Sequence, residues 1–137
     1  MVLVSRQMYK SRRRNRQQGY PRVNLYILHT APSIAATYLC NQHLLPLMKH
    51  AARVLVTAHF LADKSIFKYF KADTYWPRGN HLIRWARSRP ENYLWVIRHF
   101  NAIHREHLFR TRRIEPLKFH AKMALALRTF PKNFTKN

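Results

Sequence analysis

The sequence predicts a mainly α fold: a compact single-domain helical bundle with a short N-terminal extended segment and a basic N-terminal arm. Apolar residues recur at three- and four-residue steps through most of the chain, 47% of its residues are apolar, and only 2 of 137 are glycine. A chain of this length holds one core rather than two. The expected parts are an arm over 1–22, a helical domain over 23–129 and a tail over 130–137.

Val23, Leu25 and Ile27 alternate with Asn24 and Tyr26, the period of a short strand or extended entry segment. Thr30 and Pro32 mark the start of a first helix, expected from Ser33 to about His43. Pro46 is expected to open a second, in which Leu47, Ala51, Val54, Leu55 and Ala58 make one apolar stripe. From Asp63 to Asn80, lysines mix with Phe67, Tyr69, Phe70, Tyr75 and Trp76, and a Pro77-Arg78-Gly79-Asn80 turn signal follows, so this stretch reads as a loop-rich connector. A short helix is expected around His81 to Arg87. Ser88 and Glu91 have the spacing of a capping box for the longest helix, where Tyr93, Val96, Ile97, Phe100, Ile103 and His107 or Leu108 face inward. A last helix from about Pro116 to Arg128 should pack Leu117, Ala121, Ala124 and Leu125.

Charge points to the partner. The chain carries 26 Lys and Arg against 5 Asp and Glu, a formal net charge of +21, and self-repulsion on that scale calls for an anionic surface. Nucleic acid is the expected surface, duplex DNA ahead of RNA, with an anionic membrane face as the rival. No apolar run reaches the roughly 18 residues of a membrane span. In the arm, Arg12, Arg13, Arg14 and Arg16 stand without a single acid, the pattern of a segment that orders on phosphates. Arg98, Arg105 and Arg112 are seven apart and share a stripe away from the apolar face. Trp76 beside Arg78 offers a ring for base contact next to a cation. Trp85 and Trp95 are expected in the core.

Cys40, the single cysteine, excludes an internal disulfide and suits a reducing compartment; it reads as a small buried residue. The opening segment lacks the apolar centre of a secretory signal, although its acid-free, arginine-rich composition overlaps with that of organelle transit peptides. A cytoplasmic or nucleoid-associated location is expected, with an organelle as the alternative. Paired carboxylates for acid–base work are nearly absent. Glu91 reads as a cap, and Glu106 as the partner of Arg110 one turn on. Cys40-x-x-His43 and His104-x-x-His107 place potential ligands one turn apart, but no carboxylates support them, so neither a metal nor a cofactor is expected.

Asn24-Leu-Tyr-Ile-Leu, Asn41-Gln42-His43, Ala51-Ala52-Arg53-Val54-Leu55, Thr57-Ala58-His59, Asn80-His81, Trp85-Ala86-Arg87-Ser88 and Glu91-Asn92-Tyr93-x-Trp95 occur in that order. Together they resemble a family of small helical phage and bacterial proteins, over about residues 23 to 113. That family is in turn similar to the pyrimidine-dimer DNA glycosylases of the endonuclease V type, all-helical enzymes that flip a base from UV-damaged duplex and use an amine nucleophile with a glutamate. The resemblance implies a DNA-glycosylase-like helical scaffold. Its shared feature is a His followed seven residues later by the Glu; here His43 takes the first position and His50 the second. A histidine lacks the fixed negative charge that stabilises the developing sugar cation. In those enzymes the nucleophile is the chain's own terminal amine, so the resemblance implies that amine or Lys49 as nucleophile here, and Asn80, His81, Arg87 and Glu106 match the wider family. The expected function is therefore sequence-tolerant nucleic-acid binding with an altered catalytic site. An active glycosylase and AP lyase, and an RNA- or ribosome-associated protein, are the alternatives.

Overall fold

The structure, a computed structural model, describes residues 25, 27–70, 75, 77 and 79–131. Arg12, Arg13, Arg14 and Arg16 of the arm, and Trp76 and Arg78 of the connector, lie outside the described residues. The described chain is mainly helical, with five α-helices and no strand: α1 Pro32–Thr37, α2 Asn41–Ala62, α3 His81–Ser88, α4 Pro90–Thr111 and α5 Lys118–Ala126, with a 3-10 turn at Lys64–Tyr69. Leu25 is fully buried and Ile27 packs against the core, and neither of these two described residues of the entry segment lies in a strand.

Two 22-residue helices, α2 and α4, form the scaffold. They run antiparallel: near one end His59 of α2 meets Tyr93 of α4, and near the other Asn41 meets Arg110. The expected stripe of Leu47, Ala51, Val54, Leu55 and Ala58 is buried, as are Tyr93, Val96, Phe100 and Ile103 from α4. Beyond Val54, α2 is buried almost all round through His59, which makes it as central as α4.

The boundaries differ from those the sequence predicts in three places. First, α1 stops at Thr37 rather than near His43. Tyr38 and Leu39 donate to Ala35 and Ala36 in tightened bonds, and the Thr37 hydroxyl turns back to the Ile34 carbonyl at 2.7 Å. Helix α2 then starts at Asn41, so Pro46 sits inside it and leaves the Gln42 carbonyl without its helical N–H donor.

Second, the Ser88–Glu91 capping box does not form. Ser88 ends α3, its hydroxyl donating to the Trp85 carbonyl at 2.7 Å, and Pro90 opens α4 behind an extended Arg89 (φ −148°, ψ 145°). The residue before a proline is driven out of the helical region, so the proline overrides the serine. Asn92, noted in the sequence only within the motif Glu91-Asn92-Tyr93-x-Trp95, fastens this joint by donating to both the Trp85 carbonyl and the Ser88 hydroxyl at 2.9 Å.

Third, α5 is shorter than expected and turns a different face inward. Met123 and Ala126 are buried with Phe119 packed beside them, whereas Ala121, Ala124 and Leu125 are exposed. The cause is a histidine on α4: the Leu117 N–H donates to His104 Nε2 at 3.2 Å, and the His104 ring stacks on His120 with centroids 3.8 Å apart and planes 2° from parallel.

Helix α4 ends in a left-handed turn at Arg112 (φ 54°), closed by bonds from Arg112 N to the Phe109 carbonyl and from Arg113 N to the Leu108 carbonyl. Glycine or asparagine normally fills this position, because a Cβ is crowded there. Replacing Arg112 with Gly is expected to raise stability by about 1 kcal/mol, which a shift of the urea midpoint at constant slope will show.

Candidate nucleic-acid interface

The apolar seam between α2 and α4 ends before the helices do. On α4, the face that carries Val96, Phe100 and Ile103 continues as His107, Arg110 and Thr111, and the facing stretch of α2 presents Lys49, His50 and Arg53. The helices thus enclose an open cleft of about 790 Å³ there, floored by Leu44, Leu45 and Pro46 and closed at the α2 start by Asn41 and Gln42. No carboxylate lines it. The N-terminus of α2, which has no side-chain cap, adds the positive end of its helix dipole. A smaller pocket of about 250 Å³ lies toward the opposite end of the pair and brings His59 together with Tyr69 and Arg128.

One side chain fixes the shape of the cleft. Arg110 Nε donates to Glu106 Oε1 at 2.8 Å, NH2 to the Thr37 carbonyl at 3.0 Å, and NH1 to the Leu39 carbonyl at 2.6 Å and Asn41 Oδ1 at 3.0 Å. The guanidinium therefore satisfies carbonyls left open where α1 ends and ties the start of α2 to α4. Glu106 is the expected ion-pair partner of Arg110, and it sits behind the cleft wall, orienting the guanidinium. Sequence spacing shows the pair on one helix and gives no hint of the carbonyls, which lie some seventy residues away in the chain.

The predicted site residues separate into groups. Lys49 and His50 share the cleft. His43 immediately precedes the floor residue Leu44 but does not line the cleft, and its Nδ1 is 3.0 Å from Cys40 Sγ. Cys40 is exposed, correcting the expectation of a buried thiol. Asn80 caps α3, accepting the Leu82 N–H at 2.9 Å on its side-chain oxygen, and His81 is the first residue of that helix, so this pair has a structural role. Arg87 is half-buried in the last turn of α3. Arg98 and Arg105 are exposed on the side of α4 turned away from the cleft, and Arg112 continues their line onto the left-handed turn. Trp85 and Trp95 pack edge to face with centroids 6.2 Å apart, half-buried against the core.

Buried histidines are held neutral. Burial lowers the pKa of His59, His99, His104 and His120; for His104, where burial is reinforced by repulsion from His120, His107 and Arg105, it falls to about 4. His104 Nε2 must stay unprotonated to accept the Leu117 N–H. Among the described residues no group of three potential ligands forms a metal cluster. No helix among them is long and apolar enough to cross a membrane. Comparison with protein families, with curated proteins and with solved structures finds no match to this chain.

Two outcomes follow from this geometry. Arg110→Ala is expected to destabilise the fold by about 2–3 kcal/mol, and Arg110→Lys to recover little of the loss, because an ammonium lacks the planar fork; denaturant titration measures both. Neutral buried histidines bind protons only on unfolding, so stability should be full above pH 6.5 and fall as pH drops toward 4. Replacing His104 with Asn should cut the proton uptake on unfolding at mildly acidic pH by about one, read from the pH dependence of the urea midpoint.

Proposed function

We propose that this protein binds nucleic acid, with duplex DNA as the partner, and that phosphates enter the cleft between α2 and α4. The observation that carries the reading is the cleft itself: Lys49, His50, Arg53, His107 and Arg110 converge on one open volume with no acid among its lining residues, in a chain of net charge +21. Such a site attracts phosphates through the summed field and releases their counterions on binding. Arg98 and Arg105, exposed on the far side of α4, give a second cationic surface for a strand that wraps the helix. Cation-to-phosphate contacts of this kind position a polymer without reading its sequence. Such a protein would reside with the DNA, in the nucleoid of a cell or organelle.

The test is binding of a fluorescent duplex between about 50 and 200 mM salt, where affinity should fall steeply. Lys49→Gln should lower the slope of log K against log salt by about 0.9; an unchanged slope overturns the cleft assignment. Equal affinity for double-stranded RNA would favour the RNA-associated alternative.

The presence of Lys49 and His50 in one cleft favours a second reading, a DNA glycosylase and lyase, which is also what the resemblance to the pyrimidine-dimer glycosylases implies. In it Lys49 Nζ attacks the sugar C1′, the base leaves with the glycosidic electron pair and takes up a proton, and ring opening gives an imine. Borohydride trapping on UV-irradiated duplex should then yield a covalent adduct that Lys49→Gln abolishes. Binding without an adduct leaves the protein a binder on a glycosylase-like scaffold.

A further inference from the structure

The turn that ends α4 carries two features that folding does not explain. Phe109 is 79% exposed and Ile114 95% exposed, the largest exposures among the large apolar side chains described. Between them Arg112 occupies a left-handed conformation that a glycine would fill with less crowding. Strain and exposed apolar surface retained together point to a site of interaction.

We propose that this turn is a base-contacting wedge, in which Phe109 and Ile114 insert at an opened base step while Arg105, Arg112 and Arg113 hold the flanking phosphates. The inference rests on the nucleic-acid reading above and names the surface that touches bases. The Arg113 N–H bond to the Leu108 carbonyl closes the turn, so Phe109 and Ile114 each stand one residue from a bonded pair. Chain reach then keeps their Cα atoms within about 13 Å of each other. The mount is rigid, because the neighbouring Arg110 is tied to Thr37, Leu39, Asn41 and Glu106. It lies on the side of α4 opposite the cleft, where Phe109 shares a face with Arg105 one turn before it.

Charge selects the occupant. Arg105, Arg112 and Arg113 are exposed around the two apolar side chains, with Glu115 the one acid of the turn. Apolar side chains inserted between base steps beside phosphate-gripping cations are an established way of opening a duplex. A lipid surface needs a broader apolar face than two side chains supply. A second copy of the chain, at +21, brings repulsion rather than complementarity.

The full chain is tested on duplex DNA carrying 2-aminopurine at successive positions, with anisotropy reporting binding in the same samples. Wild type should raise the fluorescence several-fold at the contacted step. The Phe109→Ala, Ile114→Ala double variant should return it to the free-duplex value, weaken binding about ten- to hundredfold, and leave the salt slope unchanged. Arg112→Gly should keep the fold and lower the slope by about 0.9. Wild-type binding with no change in fluorescence overturns the wedge and spares the nucleic-acid reading, whereas absence of binding overturns both. Preferential binding to phosphatidylserine vesicles that the double variant loses, or a dimer that it dissociates, overturns the wedge in favour of a lipid or a self-association surface.

Discussion

The fold depends on side-chain donors of α4 that satisfy main-chain carbonyls around α1. Trp95 Nε1 donates to the Thr30 carbonyl at 2.7 Å, His99 Nδ1 to that of Pro32 at 3.2 Å, and Arg110 to those of Thr37 and Leu39. A six-residue helix has too few internal bonds to persist alone. Held along its length by a 22-residue helix, it turns its own Ala35 and Ala36 into the interior. The same contacts set where α2 begins, and the start of α2 is one wall of the cleft. Stability and the shape of the site therefore share one set of hydrogen bonds.

The antiparallel pair divides labour along its length. Near the end where α4 begins, His59 and Tyr93 bond to each other at 3.0 Å in an interior that keeps the imidazole neutral and pushes the phenol pKa upward. At the other end the helices expose polar side chains to a shared volume, and the charge there is of one sign. A chain of net charge +21 stays compact by sending its cations to the ends and outer faces of helices while its buried titratable groups remain uncharged. His99 shows the tension this creates. Its Nδ1 donates to the Pro32 carbonyl, and burial lowers its pKa against the opposing pull of the Pro32 and Leu25 backbone.

Much of this fold is legible in the sequence, because burial follows period. The α2 stripe from Leu47 to Ala58 and the α4 stripe from Tyr93 to Ile103 are both visible as spacing, and so is the Glu106–Arg110 pair. The failures have specific physical sources. Ser88 has the right neighbours for a cap, but Pro90 forces Arg89 to extend and moves the boundary by one residue. Pro46 has the look of a helix start, yet the bonds from Arg110 place that start at Asn41. For α5, several apolar residues compete for the inner face, and the stack of His120 on His104 decides between them.

Local spacing and composition thus establish that the chain is helical, that its charge is overwhelmingly of one sign, and which residues of the two long helices face inward. These depend on neighbours within a few residues, where helical geometry is fixed. Which cations meet was settled only in three dimensions. Lys49 and Arg53 join Arg110 across an antiparallel pair, while Arg98 and Arg105, equally prominent in the sequence, turn to the opposite side of α4. The Arg110 bonds reach carbonyls some seventy residues away, and no periodicity encodes a contact of that range.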